Sequence, residues 1–296
     1  MTDLRQDPIF IVGYPRSGTT LLQALLATQG DLVTFPETHF FSTLREIADN
    51  YQDTLDGISA QELFRRIAGK SGGSVLSSGV IASVAKTTIT GALSVRALFE
   101  SYVVEMAGND ISPDSRWLEK TPDHGLCMEN ILHYYPKAMF VGILRNPLKA
   151  IYSRTKHFPP KAKDALSYLA KQWVDHVLAF EIFQNRYPGK ALLVKYEDLC
   201  EKPYDTMDEI CCFIKIEFIS VLLEQYQQKA ERIILPFENW KRDVKESSFL
   251  ARDDNVKDLF STSETLKIQS IVFDRMIKYG YQPQYPLLQG VYNLFK

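Results

Sequence analysis

The fold class can be predicted from eight consecutive residues, Gly13-Tyr14-Pro15-Arg16-Ser17-Gly18-Thr19-Thr20. They follow an apolar stretch, residues 9–12, that is typical of a buried parallel strand, and precede a leucine-rich stretch, residues 21–26, that predicts a helix. In a strand, glycine loop and helix of this kind, the loop N–H groups and the positive end of the helix converge on an anion. The alternative interpretation is an ordinary tight turn between a strand and a helix.

The spacing of the two glycines is that of a P-loop, but the loop lacks the P-loop lysine. A loop that binds nucleoside triphosphates carries Lys and then Ser or Thr after its second glycine. Here Thr19 and Thr20 follow Gly18, and Arg16 is the only cation of the loop. The sequence therefore predicts a phosphate ligand that does not need a lysine on its β/γ bridge.

Composition indicates one large soluble α/β domain spanning residues 1–296. Apolar residues make up 45% and charged residues 24% of the chain, and the net charge is -2. Such a balance gives no global indication of nucleic acid or of a membrane surface. We expect a P-loop-like central parallel sheet flanked by helices, with a helical insertion at about 50–110 and a helical C-terminal part.

The compartment expected from the sequence is the cytoplasm. The first apolar run is too short for a signal peptide, and no stretch approaches the roughly 18 apolar residues of a membrane-spanning helix. The four cysteines form no C-x-x-C pair and no disulfide-like framework, so we expect reduced core thiols: Cys127, Cys200, Cys211 and Cys212.

Three polar residues lie where predicted strands end, the side of a parallel sheet that binds ligands. Glu37 follows a short strand predicted at 31–35, and Lys120 ends a strand predicted at 116–122. Each has an ordinary interpretation, as a first-turn acid that complements a helix dipole and as a solvated edge charge. His124 is a candidate base or a surface histidine at the start of a helix predicted over 123–135.

A second anion site is predicted after the strand at 138–144. Arg145 ends this strand, Asn146 and Pro147 are typical of a helix start, and Ser153 comes eight residues after Arg145 (153 − 145). Residues 130–163 contain no acidic side chain and seven cations: Lys137, Arg145, Lys149, Arg154, Lys156, Lys161 and Lys163. This local charge indicates a polyanion site, with a solvated helix face and an RNA-binding patch as alternatives.

Two segments remain open in function. The insertion at 50–110 either covers a pocket or packs on the sheet, and its residues 71–79, rich in Ser and Gly, are typical of a mobile loop. A late cationic and aromatic segment, with Trp240 and Lys241, either closes over a nucleotide or forms a surface linker.

Together these motifs resemble the sulfotransferase superfamily that uses 3′-phosphoadenosine-5′-phosphosulfate (PAPS), and within it the bacterial branch related to tyrosylprotein sulfotransferases. The resemblance extends roughly over residues 8–241. Residues 15–20 are similar to the family's 5′-phosphosulfate loop, and Arg145 with Ser153 to its 3′-phosphate motif. The segment around Tyr196 is similar to the one whose tyrosine lies by the nucleotide. The resemblance implies PAPS as co-substrate and 3′-phosphoadenosine-5′-phosphate (PAP) as product.

The resemblance also implies the catalytic residues. Glu37 stands 21 residues after Arg16 (37 − 16), which is the spacing of the family's glutamate base, and a threonine follows it there too. Lys120, in Glu-Lys-Thr-Pro, is similar to the lysine near the bridging oxygen, and His124 is a reserve base. A sulfuryl group carries less charge than a phosphoryl group, so we expect no required metal.

The chain departs from tyrosylprotein sulfotransferases after the glutamate. Their basic residues, which bind an acidic peptide, are replaced by His39, Phe40 and Phe41, followed by Ser and Thr. We therefore expect a small-molecule or lipid-like hydroxyl acceptor at these residues, no nucleic acid and a possible homodimer. The competing hypotheses are a P-loop kinase of small molecules, which would need Mg²⁺ and a loop lysine, and a catalytically silent nucleotide-binding module.

Overall fold

The computed structural model describes residues 4, 7–30, 32–48, 52–70, 92–157, 164–235, 238, 241, 244 and 259–285. Five strands form one parallel sheet in the order β2-β5-β1-β6-β7. Their bounds are β1 Ile9–Gly13, β2 Leu32–Thr34, β5 Arg116–Lys120, β6 Met139–Leu144 and β7 Ala191–Lys195. A two-stranded antiparallel sheet joins β3 Thr54–Leu55 to β4 Leu93–Ser94.

Helices flank the sheet on both faces, as the α/β pattern predicts. The first six are α1 Thr19–Leu26, α2 Phe40–Ile47, α3 Gly57–Lys70, α4 Val95–Ala107, α5 Met128–Tyr134 and α6 Pro147–His157. The others are α7 Ala165–Arg186, α8 Tyr196–Glu201, α9 Pro203–Ile214, α10 Tyr226–Ile233 and α11 Thr262–Lys278. Within the described residues, 3₁₀ turns lie at Gly108–Asp110, Pro122–Leu126 and Ser220–Gln225. None of the described helices is both long and apolar enough to cross a membrane.

The core is split by the sheet, because successive side chains of a strand point to opposite faces. Phe10 of β1 and Trp117 of β5 face a large aromatic cluster that includes residues of α3 and α4. Ile9 and Ile11 face a second cluster built with α1 and α9. The described helices of the insertion at 50–110 thus pack in the core of the first face, while residues 71–91 lie outside the described residues.

Several sequence predictions differ from the structure in detail. The strand predicted at 31–35 is the shorter β2, Leu32–Thr34. The helix predicted over 123–135 is a 3₁₀ turn followed by α5, and this turn brings the His124 ring back to Glu119. The short helix α8, which follows β7 directly, was not predicted. Cys212 is exposed, whereas the other three cysteines are buried as expected.

Candidate active site

The glycine loop ends at Gly18, which has a left-handed backbone conformation and is the N-cap residue of α1. Gly18 has φ 97° and precedes the first helical residue, Thr19. A Cβ atom built on Gly18 would lie 2.3 Å from Cδ2 of Tyr196, so the tyrosine ring covers this glycine closely. Arg16 also has a positive φ, 72°, in the same loop. The first N–H groups of a helix have no partner within the helix, so this loop presents donors to a ligand.

Arg145 contacts the loop and is also held by Tyr196 and Trp173. Its Nη1 donates to the carbonyl oxygen of Arg16 at 3.0 Å, and its guanidinium lies 4.4 Å from the centre of the Tyr196 ring. Its own carbonyl oxygen accepts a hydrogen bond from Nε1 of Trp173. The capping predicted for the next helix is confirmed, since Oδ1 of Asn146 accepts from the N–H of Leu148 at 3.0 Å.

The loop and the second predicted anion motif meet in space. Nε of Arg16 donates to Oγ of Ser153 at 3.2 Å, across 137 positions of sequence. Oγ of Ser17 and Nε of Arg145 are buried and have no hydrogen-bond partner among the described residues. These two buried donors without a partner, together with the guanidinium of Arg16, suit a phosphate group, whose oxygens accept several hydrogen bonds at once.

Glu37 and Lys120 meet at the carboxyl ends of β2 and β5. Thr34 pairs with Leu118 in the sheet, so the residues that follow the two strands come together. Nζ of Lys120 donates a hydrogen bond to Oε1 of Glu37, and Nζ of Lys241 donates to the same oxygen at 2.8 Å. Lys120 is 1% exposed and Glu37 16% exposed, so the carboxylate forms the more open side of the cluster.

The charges of this cluster shift its titration. Burial alone would raise the pKa of Glu37, but the ammonium groups of Lys120 and Lys241 outweigh burial and hold it well below its ordinary value. Burial lowers the pKa of Lys120 to about 8, more than the attraction of Glu37 raises it. For Lys241 the two carboxylates Glu37 and Glu238 outweigh burial, and its pKa is raised. The site thus holds an ionised carboxylate against a lysine that loses its proton with unusual ease.

A buried network lies behind this pair. Glu119 is fully buried; its Oε1 accepts from the hydroxyls of Thr38 and Thr121 at 2.8 and 2.6 Å. Its Oε2 lies 2.9 Å from Nδ1 of His124. Because Nε2 of His124 accepts the backbone N–H of Phe41, the proton of this neutral ring is assigned to Nδ1. The network fixes Thr38, which follows Glu37 in the sequence, and Thr121, which follows Lys120.

The remaining predicted site residues are placed as follows. His124 is fully buried with both ring nitrogens engaged, so it is not the surface histidine that the sequence also allowed. Phe40 and Phe41 are buried in the aromatic core, where both pack on Phe99. Trp240 lies outside the described residues. Thr19 and Thr20 are buried at the start of α1.

Sequence reasoning missed Glu119 as a site residue. It lies two positions after Trp117 on β5, so the period-two pattern of a strand puts its carboxylate on the same buried face as the indole. A charged residue on such a face needs partners, and this is the signal that could have found it. Within the described residues, no three or more His, Cys, Asp or Glu side chains gather as a metal-binding group.

Comparison with known proteins agrees with this geometry. The model of the family described as "Sulfotransferase family" matches residues 8–220. The chain belongs to the sulfotransferase family. It is 23% identical over 223 residues to a Caenorhabditis briggsae protein named "putative protein-tyrosine sulfotransferase", a match that covers 74% of this chain and 69% of the relative. A Caenorhabditis elegans protein of the same name is 24% identical over 127 residues, 42% of this chain and 49% of that protein.

Solved sulfotransferase structures share the fold. The sulfotransferase domain of the Synechococcus PCC 7002 olefin synthase has a TM-score of 0.61 at 18% identity, covering 93% of this chain and 97% of that one. A mouse sulfotransferase, SULT7A1, solved in complex with PAP has a TM-score of 0.52 at 15% identity, covering 93% and 85%. The predicted α/β fold with a P-loop-like parallel sheet is therefore confirmed.

Proposed function

We propose that this sulfotransferase transfers the sulfuryl group of PAPS to a hydroxyl of a small or apolar acceptor, with Glu37 as the general base. The observation that carries the proposal is the arrangement of two clusters at one edge of the sheet. The contacts of Arg16, Ser153 and Arg145 follow β1 and β6, and the contact of Glu37 with Lys120 follows the neighbouring strands β2 and β5. Carboxyl ends of parallel strands meet at the same edge, where ligands bind.

The cradle around the loop fits a nucleotide that carries two separate anionic groups. We assign the 5′-phosphosulfate to the loop of residues 15–20 and the 3′-phosphate to Arg145 and Ser153. The buried Oγ of Ser17 and Nε of Arg145, which lack partners among the described residues, support this assignment. The mouse relative of similar fold was solved with PAP, which is consistent with the same nucleotide here.

PAPS supplies a sulfuryl group already bonded to a phosphate leaving group. The protein then has two tasks, to remove the acceptor proton and to stabilise the negative charge of the leaving oxygen. We assign the second task to Lys120 and Arg16. Their positive charges lie in an enclosed site, where electrostatic interactions are stronger than in water.

Glu37 is suited to the first task because it is ionised and its strength as a base depends on Lys120. In the absence of ligands, Lys120 is the strongest of the contacts that lower the pKa of this carboxyl. An ammonium that turns toward the nucleotide gives up part of that contact, and the pKa of Glu37 rises. The base would then become stronger when the nucleotide is bound.

The acceptor class is proposed from the residues after Glu37. Residues 38–44 contain no Lys or Arg, so they offer no cation to an acidic peptide. The ring of His39 is partly exposed beside Glu37, while Phe40 and Phe41 serve the core. The lack of a cation in this segment disfavours a polyanionic peptide, and we propose a phenol or an alcohol on an apolar body as the acceptor.

The proposal is tested by PAP release from PAPS with phenol and a long-chain primary alcohol as acceptors. Glu37→Gln should lose most of its turnover, because base catalysis typically contributes about 10²–10⁴-fold, and it should still bind PAP. Glu46→Gln is the matched control, since Glu46 pairs with Arg66 and Lys70 at the surface. Turnover in Glu37→Gln equal to that of the wild type would contradict the assignment of the base.

A further inference from the structure

We propose that His39 relays the proton that Glu37 removes from the acceptor, taking it from the carboxyl and passing it to solvent. The inference rests on the proposed role of Glu37 as the base. His39 acts through Glu37 and not on the substrate, so it is a positioning and relaying residue. Four features carry the proposal: the contact between the two side chains, the backbone of His39, its exposure and its titration.

The two carboxylate oxygens of Glu37 have different partners. Lys120 and Lys241 both bind Oε1. Oε2 lies 3.5 Å from Nε2 of His39. Among the described residues, no other polar side chain contacts Oε2. A movement of roughly half an ångström would bring the two atoms to the usual hydrogen-bond distance. Catalytic hydrogen bonds are often long before the substrate binds, so the distance suits a relay.

The backbone of His39 is held in a conformation that few side chains adopt. Its φ of 52° is left-handed, which is uncommon for a residue other than glycine. Its N–H donates to Oγ1 of Thr121, and its carbonyl accepts from the hydroxyls of Ser42 and Thr43 and from the N–H of Thr43. Such conformations persist where the surroundings fix them, and they cluster at active sites.

The imidazole of His39 does not cap α2. His39 occupies the N-cap position, but its side chain makes no capping hydrogen bond. The local structure thus uses the backbone of His39 and leaves the ring to face Glu37. Asn would satisfy the left-handed backbone at least as well, so the backbone alone does not explain a histidine here.

The ring also offers a way out for a proton. The side chain of His39 is 21% exposed, whereas that of Lys120 on the other carboxylate oxygen is 1% exposed. In the proposed step the acceptor O–H bond breaks and Glu37 takes the proton. Once Glu37 is protonated, Nε2 of a ring protonated on Nδ1 accepts that proton, and the imidazolium returns the Nδ1 proton to water. Proton exchange with water then restores the Nδ1–H tautomer for the next turnover. No oxidant or reductant is needed.

The charges around the ring favour this direction. Burial lowers the pKa of His39, and Glu37 raises it. The other titratable groups near the ring are Glu119, Asp123 and His124, all at or after the end of β5, and the two acids raise its pKa. The ring is therefore neutral at neutral pH, so it can accept a proton from the protonated Glu37.

The first test needs no acceptor. The pKa of the His39 ring is measured by NMR in the wild type and in Glu37→Gln, with His39→Asn to identify its signal among the five histidines. We expect the pKa of His39 to fall in Glu37→Gln, because the carboxylate that raises it is gone. An equal pKa in the two proteins would overturn the contact on which the relay depends.

The second test uses PAP release from PAPS with phenol, whose hydroxyl stays protonated at neutral pH. His39→Asn keeps the backbone conformation and removes the titrating ring, and we expect about a tenfold lower kcat with unchanged PAP affinity, less than the roughly 10²–10⁴-fold of the base itself. His39→Ala should be similarly slow and should recover with added imidazole. A wild-type kcat in His39→Asn, or His39→Ala that imidazole does not rescue, would overturn the relay.

The two proposals fail in different ways. If the wild type does not bind PAP, or if Glu37→Gln turns over normally, the proposed function fails and the relay falls with it. If Glu37→Gln is inactive and binds PAP while His39→Asn turns over normally, only the relay fails.

Discussion

Nζ of Lys241 donates a hydrogen bond to Oε1 of Glu37 at 2.8 Å, although 204 positions of sequence separate the two residues. The same ammonium also pairs with the carboxylate of Glu238, which in turn accepts the N–H of Leu235 at 3.0 Å. Lys241 is buried in this contact. A residue predicted to bind the nucleotide therefore contacts the carboxylate that we propose as the base.

Replacing Lys241 by Met should shift the acidic limb of the pH profile of kcat/KM to higher pH. Lys241 is one of the cations that outweigh burial and hold the pKa of Glu37 low. Without it the pKa of this carboxyl rises, so kcat/KM should start to fall at a higher pH on the acidic side. PAP affinity should stay within about threefold of the wild type, a change of less than 1 kcal/mol.

The control for this variant is Lys267→Met, which removes a surface cation paired with Asp164. It should leave both the rate profile and PAP affinity unchanged. A tenfold weaker PAP affinity in Lys241→Met with an unmoved acidic limb would instead make Lys241 a nucleotide ligand.

The alkaline side of the rate profile should report Lys120. Burial lowers the pKa of its ammonium to about 8, so the positive charge proposed for the leaving oxygen is lost above that pH. We expect kcat/KM to fall as the pH rises through about 8. Lys120→Arg should remove this limb at whatever activity it retains, because arginine stays charged, and Lys120→Met should be slow at every pH. An alkaline limb that persists in Lys120→Arg would assign it to another group.

The buried network behind the site should contribute to stability in a pH-dependent way. Burial alone would raise the pKa of Glu119, but His124, Thr121 and Thr38 outweigh burial and lower it. A carboxyl with a lowered pKa stabilises the fold above its ordinary pKa of about 4.3, and this stabilisation is lost as the pH falls through the folded value.

Glu119→Gln should accordingly reduce the free energy of unfolding at pH 7 by about 1–3 kcal/mol, because buried donors lose their charged acceptor. Its stability should also depend less on pH below about 5. Chemical denaturation between pH 3 and 7 measures both effects, with Glu129→Gln as a partly exposed control that pairs with Arg186. Equal pH dependence of the wild type and Glu119→Gln would contradict the account of the network.

The contact of Gly18 with Tyr196 can be separated from backbone strain. Gly18→Ala places a Cβ 2.3 Å from the ring, while Gly30→Ala, at a φ of 57°, meets nothing within 4 Å. Both variants lose about 1 kcal/mol to a left-handed alanine. Only Gly18→Ala should lose a further 1–3 kcal/mol or so to overpacking and weaken PAP binding. Equal stability of the two variants, measured by denaturant unfolding, would contradict this prediction and show that the Tyr196 ring moves away from the added Cβ.

The sequence was sufficient for the parts of the site that depend on strand ends. The loop of residues 13–20, the Arg145 motif with its Asn146 cap, and the strands that end near Glu37 and Lys120 all follow from short local patterns. The parallel sheet then brings these strand ends to one edge. No single motif predicts this arrangement. For this reason the fold and the gathering of these residues could be predicted together.

The contacts that cross long stretches of sequence could not be predicted. Nothing local to Lys241 indicates Glu37, and the burial of Phe40 and Phe41 depends on helices of the insertion packing on β1 and β5. His124 lies at the start of a predicted helix, which suggested the surface, yet Glu119 and the backbone of Phe41 bind its ring in the core. Tertiary packing decides such cases, and local pattern does not.

The most direct test of the central claim is a calorimetric titration of the wild type with PAP, without metal, against ADP and against ATP with Mg²⁺. We predict selective binding of PAP, and a roughly 10- to 100-fold loss of its affinity in Arg145→Ala, since hydrogen bonds to charged groups contribute about 1.5–3 kcal/mol. Preference for ATP with Mg²⁺ would contradict the account in favour of a kinase. Binding of none of the three would leave a sulfotransferase fold without the proposed nucleotide site.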